Sequence, residues 1–348
     1  MMDYQRLLKQ AESLPNGDTK LALMEEAIRI LDSLQEVEEA FYERMDYIEV
    51  AIFSGRAEKA IVSFAWCLAQ YDKEPERFDS HDVMWTYKWI AEHLPSFLQV
   101  HLEKVEETLA DLKRRYQELG YKLRPYYRLK RKFALEKGDL EEAEKYFQLW
   151  IKEPRDSMSD CWACELDQQI SYYLEKDLER AEELAKSLFN GRESCHSVPS
   201  TTYADFLLPT LQAGKVELAW QYHQIGYPLI REEKGFIPWV AEHIQFLTVT
   251  DKKKAVLLLE RHLPEALALY EKDSQFDFFL AASTLFEEIQ EYQHTLHIPE
   301  HVTYEWLTNE VESIAKQFDK RNGNDSYQKK IVEVREKIEA CREMIKSI

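Results

Sequence analysis

The segment GDLEEA at residues 138–143 belongs to a pattern that recurs along the chain and decides the fold. Related segments are GRAEKA at 55–60, KDLERA at 176–181 and GKVELA at 214–219, and apolar residues at helical spacing follow each of them. Ala143, Ala181, Ala219 and Ala255 follow one another at intervals of 38, 38 and 36 residues. This interval is typical of a helix-turn-helix unit, so the sequence predicts a series of helical hairpins.

The composition of the chain also favours helices. Nine glycines and eleven prolines are few for 348 residues, and leucine, glutamate, alanine, lysine and glutamine are frequent. A chain of this length exceeds one compact core, so it forms either two domains or an array of small units. One hairpin cannot bury its own apolar face, whereas neighbouring hairpins bury one another's. We therefore predict an all-α fold of stacked antiparallel hairpins.

The repeated segment resembles the motif of the tetratricopeptide-repeat (TPR) family. In that family the second helix opens with Gly-Asp-x-x-x-Ala and carries an aromatic residue four positions later, as in the pairs Ala143/Phe147 and Ala60/Phe64. The resemblance covers approximately residues 40–265. It implies a TPR-like α-solenoid, a right-handed superhelix whose concave face binds peptides or domains. Prolines lie near the expected helix boundaries: Pro125, Pro154, Pro199, Pro238 and Pro264.

Two segments depart from the repeat and set the predicted domain organisation. Apolar residues at steps of three and four from Leu98 to Leu119 predict one long helix that bridges two repeat blocks. After a breaker at residues 321–326, a last helix carries an apolar stripe: Ile331, Val334, Ile338, Cys341, Ile345 and Ile348. We divide the chain into N-terminal hairpins at 1–95, a bridging helix at 96–125, repeats at 126–270 and C-terminal helices at 271–348.

The stripe of the last helix, residues 326–348, needs a surface that buries it. One interpretation is an intramolecular cap that closes the end of the solenoid. The other is a coiled-coil contact, either with a second copy in a homodimer or with a partner. Deletion of residues 326–348 separates the two, because it exposes apolar surface in the first case and only removes oligomers in the second.

The charge of the chain bears on its partners and location. A formal charge of −19 disfavours binding to a phosphate backbone, so we expect no nucleic acid partner. The one basic stretch, residues 122–132, is interpreted as a solvated helix face. No apolar run reaches the roughly 18 to 20 residues that span a bilayer, and the first residues lack the features of a signal peptide. We expect a cytoplasmic protein without membrane contact.

Cysteines form the one constellation with chemical potential. Cys161 and Cys164 have the Cys-x-x-Cys spacing that suits one metal ion or a redox pair, and Cys195 follows. In the hairpin arrangement Asp160 caps the helix that carries the first two, and Cys195 lies in the loop before the next equivalent helix. The three thiols then share one edge of adjacent repeats.

A fourth ligand would complete this cluster. His223, late in a following helix, returns to the same edge, and His196 is its rival nearer in sequence. Three thiolates and one imidazole would make a closed, structural zinc site that pins two repeats together. The alternatives are a redox pair, whose thiol pKa a helix N-terminus would lower, and free cysteines at a repeat junction. Cys67 and Cys341 are interpreted as ordinary small apolar residues.

The cysteine cluster carries a second resemblance. Together with the runs FLLP at 206–209 and ERHLP at 260–264, it is similar to a group of uncharacterised bacterial repeat proteins with a Cys-x-x-Cys...Cys cluster. That resemblance implies a related group of proteins but no function.

Other polar groupings are interpreted as structural. His294, His297 and His301 flank Pro299 and are predicted to be surface residues, and Trp85 and Trp89 are predicted to pack between hairpins. Carboxylate pairs at 38–39 and 287–288 are interpreted as solvated faces. The sequence contains no Gly-rich phosphate loop, nucleophile elbow or zinc-protease motif.

These observations predict a non-enzymatic scaffold or regulatory adaptor. A peptide or protein partner would bind in the groove formed by the first helices of residues 40–265. The alternative is a metal- or redox-responsive sensor that uses Cys161, Cys164 and Cys195. We expect no cofactor other than structural zinc at this cluster.

Overall fold

The computed structural model describes residues 3–290 and 295–347, and the regular elements in these ranges are helices without any strand. They are α1 (Asp3–Glu12), α2 (Asp18–Leu34), α3 (Val37–Phe53), α4 (Ala57–Lys73), α5 (Ser80–His93), α6 (Leu102–Glu118), α7 (Arg124–Glu136), α8 (Leu140–Lys152), α9 (Trp162–Leu174), α10 (Leu178–Phe189), α11 (Ser200–Asp205), α12 (Leu207–Gln212), α13 (Val216–Ile230), α14 (Ile237–Thr250), α15 (Lys252–Leu267), α16 (Lys272–Ile289), α17 (Tyr304–Asn322) and α18 (Ser326–Lys346). The predicted all-α fold of sequentially packed helices is confirmed.

The chain divides into two compact units, Met1–Ser159 and Asp160–Ile348. In the first unit, neighbouring helices pair in chain order, α1 with α2, α3 with α4, and α7 with α8. An apolar core runs through this unit and includes Phe41, Phe64, Leu112 and Phe133. The boundary after Ser159 falls inside the segment 126–270, which the sequence groups as one block of repeats.

The repeated segment marks the turn between two helices. After α7, Gly138 has a φ of 69°, in the left-handed region, and the amide of Asp139 donates to the carbonyl of Ala134 at 2.8 Å. The Asp139 side chain then accepts from the amide of Glu142 at 2.9 Å and caps α8. The corresponding glycines also have a positive φ: Gly55 and Gly214. The motif therefore ends one helix and starts the next.

The alanines of the motif are buried. Each is at most 4% exposed: Ala60, Ala143, Ala181, Ala219 and Ala255. Because the alanine side chain is only a methyl group, it allows the axes of two packed helices to lie close together. The motif therefore favours close helix packing as well as the turn.

The helices of the second unit alternate between two positions. The first helices of successive hairpins, namely α9, α11 with α12, α14 and α16, pack on one another in chain order. The second helices, α10, α13 and α15, each pack on the first helix of their own hairpin. The first helices therefore share one face of this unit, which we call the first-helix face.

The predicted bridging helix at 96–125 is shorter than expected. α6 spans Leu102–Glu118, because residues 94–96 form a separate 3-10 turn that contains Pro95. Val105, Leu109, Leu112 and Tyr116 are buried at the predicted spacing. α6 packs on α5 and α7 as an ordinary helix of the first unit.

The basic stretch at 122–132 is not a solvated face, and that prediction is wrong. Arg124, Arg128, Lys130 and Arg131 are each at most 7% exposed. Their partners come from other helices, so the run of charge itself does not reveal them. The ammonium of Lys130, for example, lies 2.8 Å from the carboxylate of Glu106 on α6.

Candidate metal centre

The N-terminus of α9 supplies two of the three clustered thiols. Cys161 is the N-cap residue, and its sulfur accepts a hydrogen bond from the backbone amide of Cys164 at 3.3 Å. The Cys-x-x-Cys spacing places both sulfurs at one helix end, because a cap side chain faces the amide three residues later. Asp160, the predicted cap, lies outside the helix, and Cys161 takes its place.

The loop between α10 and α11 supplies the third thiol. The amide of Cys195 donates to the carbonyl of Val198 at 3.0 Å and so closes a turn. The sulfur of Cys195 lies 3.1 Å from the sulfur of Cys164. All three sulfurs lie within 4.8 Å of one another. The prediction that Cys161, Cys164 and Cys195 come together is therefore confirmed.

The spacing of the sulfurs fits a tetrahedral metal site. Zinc binds thiolate sulfur at about 2.3 Å, which places two sulfurs of one tetrahedron about 3.8 Å apart. The separations in this cluster, from 3.1 Å to at most 4.8 Å, lie on either side of that distance. Cys161 is exposed and the other two are partly buried, so an ion has access to the cluster.

Cys164 and Cys195 share a proton. Hydrogen bonds from Cys164 and from the backbone at residues 197 and 198 lower the pKa of Cys195 to about 5, although burial opposes this shift. The contact with Cys195, together with burial, raises the pKa of Cys164 well above its ordinary value. The contact therefore favours the thiolate form of Cys195, with the Cys164 thiol as the hydrogen-bond donor. The thiolate is the form that binds metal ions.

The predicted histidine ligand does not join the cluster. His223 is 7% exposed, and its Nδ1 lies 3.0 Å from Nδ1 of His243. Its position on α13 turns the ring towards α14, away from the hairpin edge that carries the thiols. His196 packs near Phe236, with 6.0 Å between ring centroids. Within residues 3–290 and 295–347, the group of candidate metal ligands consists of the three cysteines.

A buried carboxylate next to the cluster was not predicted. Asp167 lies one turn after Cys164 on α9 and accepts hydrogen bonds from the hydroxyls of Thr201 and Thr202 on α11. Burial raises the pKa of Asp167 to about 6. One helical turn separates Cys164, Asp167 and Ser171, which places them on one face of α9. That spacing is the sequence signal that would have identified Asp167.

The remaining candidates behave as structural residues. His297 and His301 are exposed, as predicted, while His294 lies outside the described residues. Trp85 packs against Trp89 with 6.2 Å between ring centroids, and Trp89 in turn reaches Phe53 of α3. This arrangement confirms the prediction that the tryptophan pair packs between hairpins.

No protein-family model matches the sequence. A search of curated proteins finds no significant match.

In the part of the chain that the structure describes, no helix combines the length and the apolar character needed to cross a bilayer.

Proposed function

We propose that this chain is a non-enzymatic, TPR-like interaction protein that binds a protein partner on the first-helix face of its second unit. The consecutive packing of the first helices supports this proposal, because it joins side chains of separate hairpins into one surface. Carboxylates meet there from three helices. Asp205 of α11 interacts electrostatically with Glu242 of α14, and Glu242 interacts with Asp277 of α16.

The three carboxylates give this surface its chemical character. Burial and the neighbouring carboxylates raise the pKa of Asp205 well above its ordinary value. Burial, followed by the charge of Asp277, raises the pKa of Glu242 to about 7. Carboxylates that repel one another in a partly buried row favour a positively charged neighbour. The surface is therefore suited to a partner that carries Lys or Arg.

Photo-crosslinking from the full chain tests this proposal. A benzoylphenylalanine at Trp239, partly exposed on α14, is expected to give discrete cross-linked species in a lysate of the source organism. The same residue at Leu257, which is 63% exposed on the second helix α15, is the matched control and should give none of them. Identical species from both positions, or none from Trp239, would contradict binding on the first-helix face.

A second proposed function, metal-responsive control, is supported by the thiol cluster. Three sulfurs within 4.8 Å, one of them with a pKa lowered to about 5, are the donor set that zinc prefers. The ion would join the start of α9 to the loop at residues 190–199 and so fix consecutive hairpins of one unit. With three protein ligands, the fourth position would be left for water or an exchangeable ligand, unlike the closed site expected from the sequence.

We predict that the full chain, purified under reducing conditions without added metal, contains close to one equivalent of zinc. Cys164→Ala and Cys195→Ala are each expected to reduce this to less than about a tenth of an equivalent, because two thiolates bind zinc far more weakly than three. Cys341→Ala is the matched control in the same unit and should retain the metal. Elemental analysis measures the zinc, and a chelator is expected to lower the melting temperature of the wild type only when zinc is present.

The same experiment separates the metal function from a redox function. Freely titrating thiols and less than a tenth of an equivalent of zinc in the wild type would contradict the metal proposal. In that case hydrogen peroxide could oxidise the Cys164 thiol and the Cys195 thiolate to a disulfide. The peroxide, taking the thiol proton and one proton from solvent, would be reduced to two waters. Loss of two titratable thiols, prevented by Cys195→Ala, would identify this reaction.

A further inference from the structure

The C-terminal helix α18 lies on the first-helix face. It contacts α12 and α14 as well as its neighbour α17. The sulfur of Cys341 lies 3.8 Å from the carbonyl of Leu208 on α12. Ile331, Ile338 and Cys341 are buried and occupy one side of α18, whereas Val332 on the other side is 53% exposed. Three residues of the predicted apolar stripe are thus buried within the same chain, Val334 and Ile345 are half-buried, and Ile348 lies outside the described residues.

Charge complementarity joins α18 to the same face. Three basic side chains of α18 meet carboxylates of α16: Lys330 with Asp277 at 2.6 Å, Arg335 with Glu287 at 3.0 Å, and Arg342 with Glu288 at 2.7 Å. Lys330 also interacts with Glu242, in the middle of the carboxylate row. The pair 287–288 is therefore partnered, and its interpretation as a solvated face is wrong. α18 supplies the positive charge that the row favours.

The two ends of α18 are held differently. At the start, Asp319 of α17 accepts hydrogen bonds from the amides of Tyr327 and Gln328, at 2.9 and 3.1 Å, and the ring of Tyr327 stacks on Phe318 at 4.3 Å. Beyond this turn, the helix rests on few apolar anchors and on partly exposed ion pairs, which stabilise little individually. An open cavity of about 310 Å³ lies between α16 and α18, beside these ion pairs, and is lined in part by Thr284, Glu287, Arg335 and Ile338.

We propose that α18 is an internal ligand that occupies the partner's place on the first-helix face. This proposal rests on the proposed interaction function and names its partner class, a basic amphipathic helix of another protein. Such a helix would present two apolar residues seven positions apart, like Ile331 and Ile338, flanked by Lys or Arg. The partner helix binds after the C-terminal part of α18 dissociates from the first-helix face. The first turn of α18 stays attached to α17. Tethering keeps α18 at a high effective concentration, so only a complementary helix displaces it.

A binding experiment on the full chain tests this proposal. The release variant carries Lys330→Glu and Arg342→Glu, which turn two attractive pairs into repulsive ones and leave the first-helix face unchanged. The control variant carries Lys329→Glu and Lys346→Glu, two lysines of α18 that are 66% and 65% exposed. The probe is a fluorescein-labelled synthetic peptide of residues 326–347. Its Kd, measured by fluorescence anisotropy, is expected to be at least tenfold lower for the release variant than for the wild type and the control.

Hydrogen exchange provides an independent readout. Amides of residues 333–346 are expected to exchange at least tenfold faster in the release variant than in the wild type. Addition of Asp277→Lys to Lys330→Glu restores an attractive pair and should restore slow exchange. Equal peptide affinity within twofold in all three proteins would overturn the proposal, and so would a stable dimer of the release variant that binds no peptide. Peptide binding tests only whether α18 occupies the first-helix face, whereas cross-links from Trp239 test whether a partner protein binds there. Failure of one proposal can therefore be distinguished from failure of the other.

Discussion

Replacing Arg128 with alanine is expected to lower the free energy of unfolding by about 3 kcal/mol, because it removes the main partner of a carboxylate that is only 23% exposed. Arg128 is 5% exposed, and its guanidinium binds both oxygens of Glu92, at 2.9 and 2.7 Å. Burial by itself would raise the pKa of Glu92, but the charges of Arg128 and Lys132 outweigh it and hold that pKa well below its ordinary value. Urea denaturation measures the loss.

Two further variants separate this loss from general effects of removing an arginine. Arg114 on α6 forms pairs with Asp111 and Glu118, and its side chain is 53% exposed. Arg114→Ala should therefore leave the urea midpoint close to that of the wild type, because water and salt screen an exposed ion pair. Arg128→Met combined with Glu92→Met should cost less than Arg128→Ala, because no unpaired charge stays buried. Equal losses for Arg128→Ala and Arg114→Ala would show that the pair contributes no more than a surface contact.

The same pair explains why the sequence did not predict that the basic stretch at 122–132 is buried. Arg128 and Lys130 lie in a run of charge, which on an isolated helix usually faces solvent. Their carboxylate partners lie 36 and 24 positions earlier in the chain, at Glu92 and Glu106. Only the packing of α7 against α5 and α6 brings them together. Burial of a charge therefore depends on tertiary contacts that periodicity does not contain.

The hairpin repeat was predictable because its signals are local. At 138–143 a glycine ends one helix, an aspartate caps the next, and an alanine fixes the contact between them, all within six residues. Each effect depends on backbone conformation or side-chain size, which the residue type determines. By contrast, the start of α6 and the division after Ser159 depend on contacts between helices, and neither coincides with a boundary predicted from the sequence.

The thiol cluster was predictable for a similar reason, and its fourth ligand was not. Cys161 and Cys164 lie at one helix end, and Cys195 lies in the loop that returns to that end, so hairpin topology alone brings them together. His223 lies inside α13, where the direction of its ring depends on the rotation of that helix. A small difference in the rotation of α13 about its axis changes which interface the imidazole enters. In the structure His223 enters the interface with α14 and contacts His243.

That interface contains a histidine cluster that no sequence motif indicated. Nδ1 of His223 lies 3.0 Å from Nδ1 of His243, and Nε2 of His262 lies 3.1 Å from the hydroxyl of Tyr227. His243 is fully buried, and its Nε2 has no hydrogen-bond partner among the described residues. One of the two facing Nδ1 atoms must be unprotonated to accept the other's proton.

These histidines are expected to make the protein unstable in mild acid. Burial, followed by Lys254, lowers the pKa of His223 to about 4, and burial, followed by Arg261, lowers that of His262 to about 4. Burial and the other two histidines lower the pKa of His243 as well. Below pH 6.5 these histidines bind protons in the unfolded chain but not in the folded chain. The free energy of unfolding therefore falls as the pH falls towards 4. At pH 5 the loss is about 2 kcal/mol for each of His223 and His262, and His243 adds to it.

Comparison of variants isolates this effect from carboxylates that titrate in the opposite direction. Asp167 and Glu242 have raised pKa values of about 6 and about 7, so they stabilise the folded chain at low pH and lose this contribution as the pH rises. In urea denaturation from pH 7.5 to 4.5, His262→Gln should lose about 1.2 kcal/mol less per pH unit than the wild type below pH 6. His297→Gln, whose side chain is 91% exposed, should follow the wild type. Parallel curves for all three proteins would mean that the cluster accepts protons freely, because water reaches its rings.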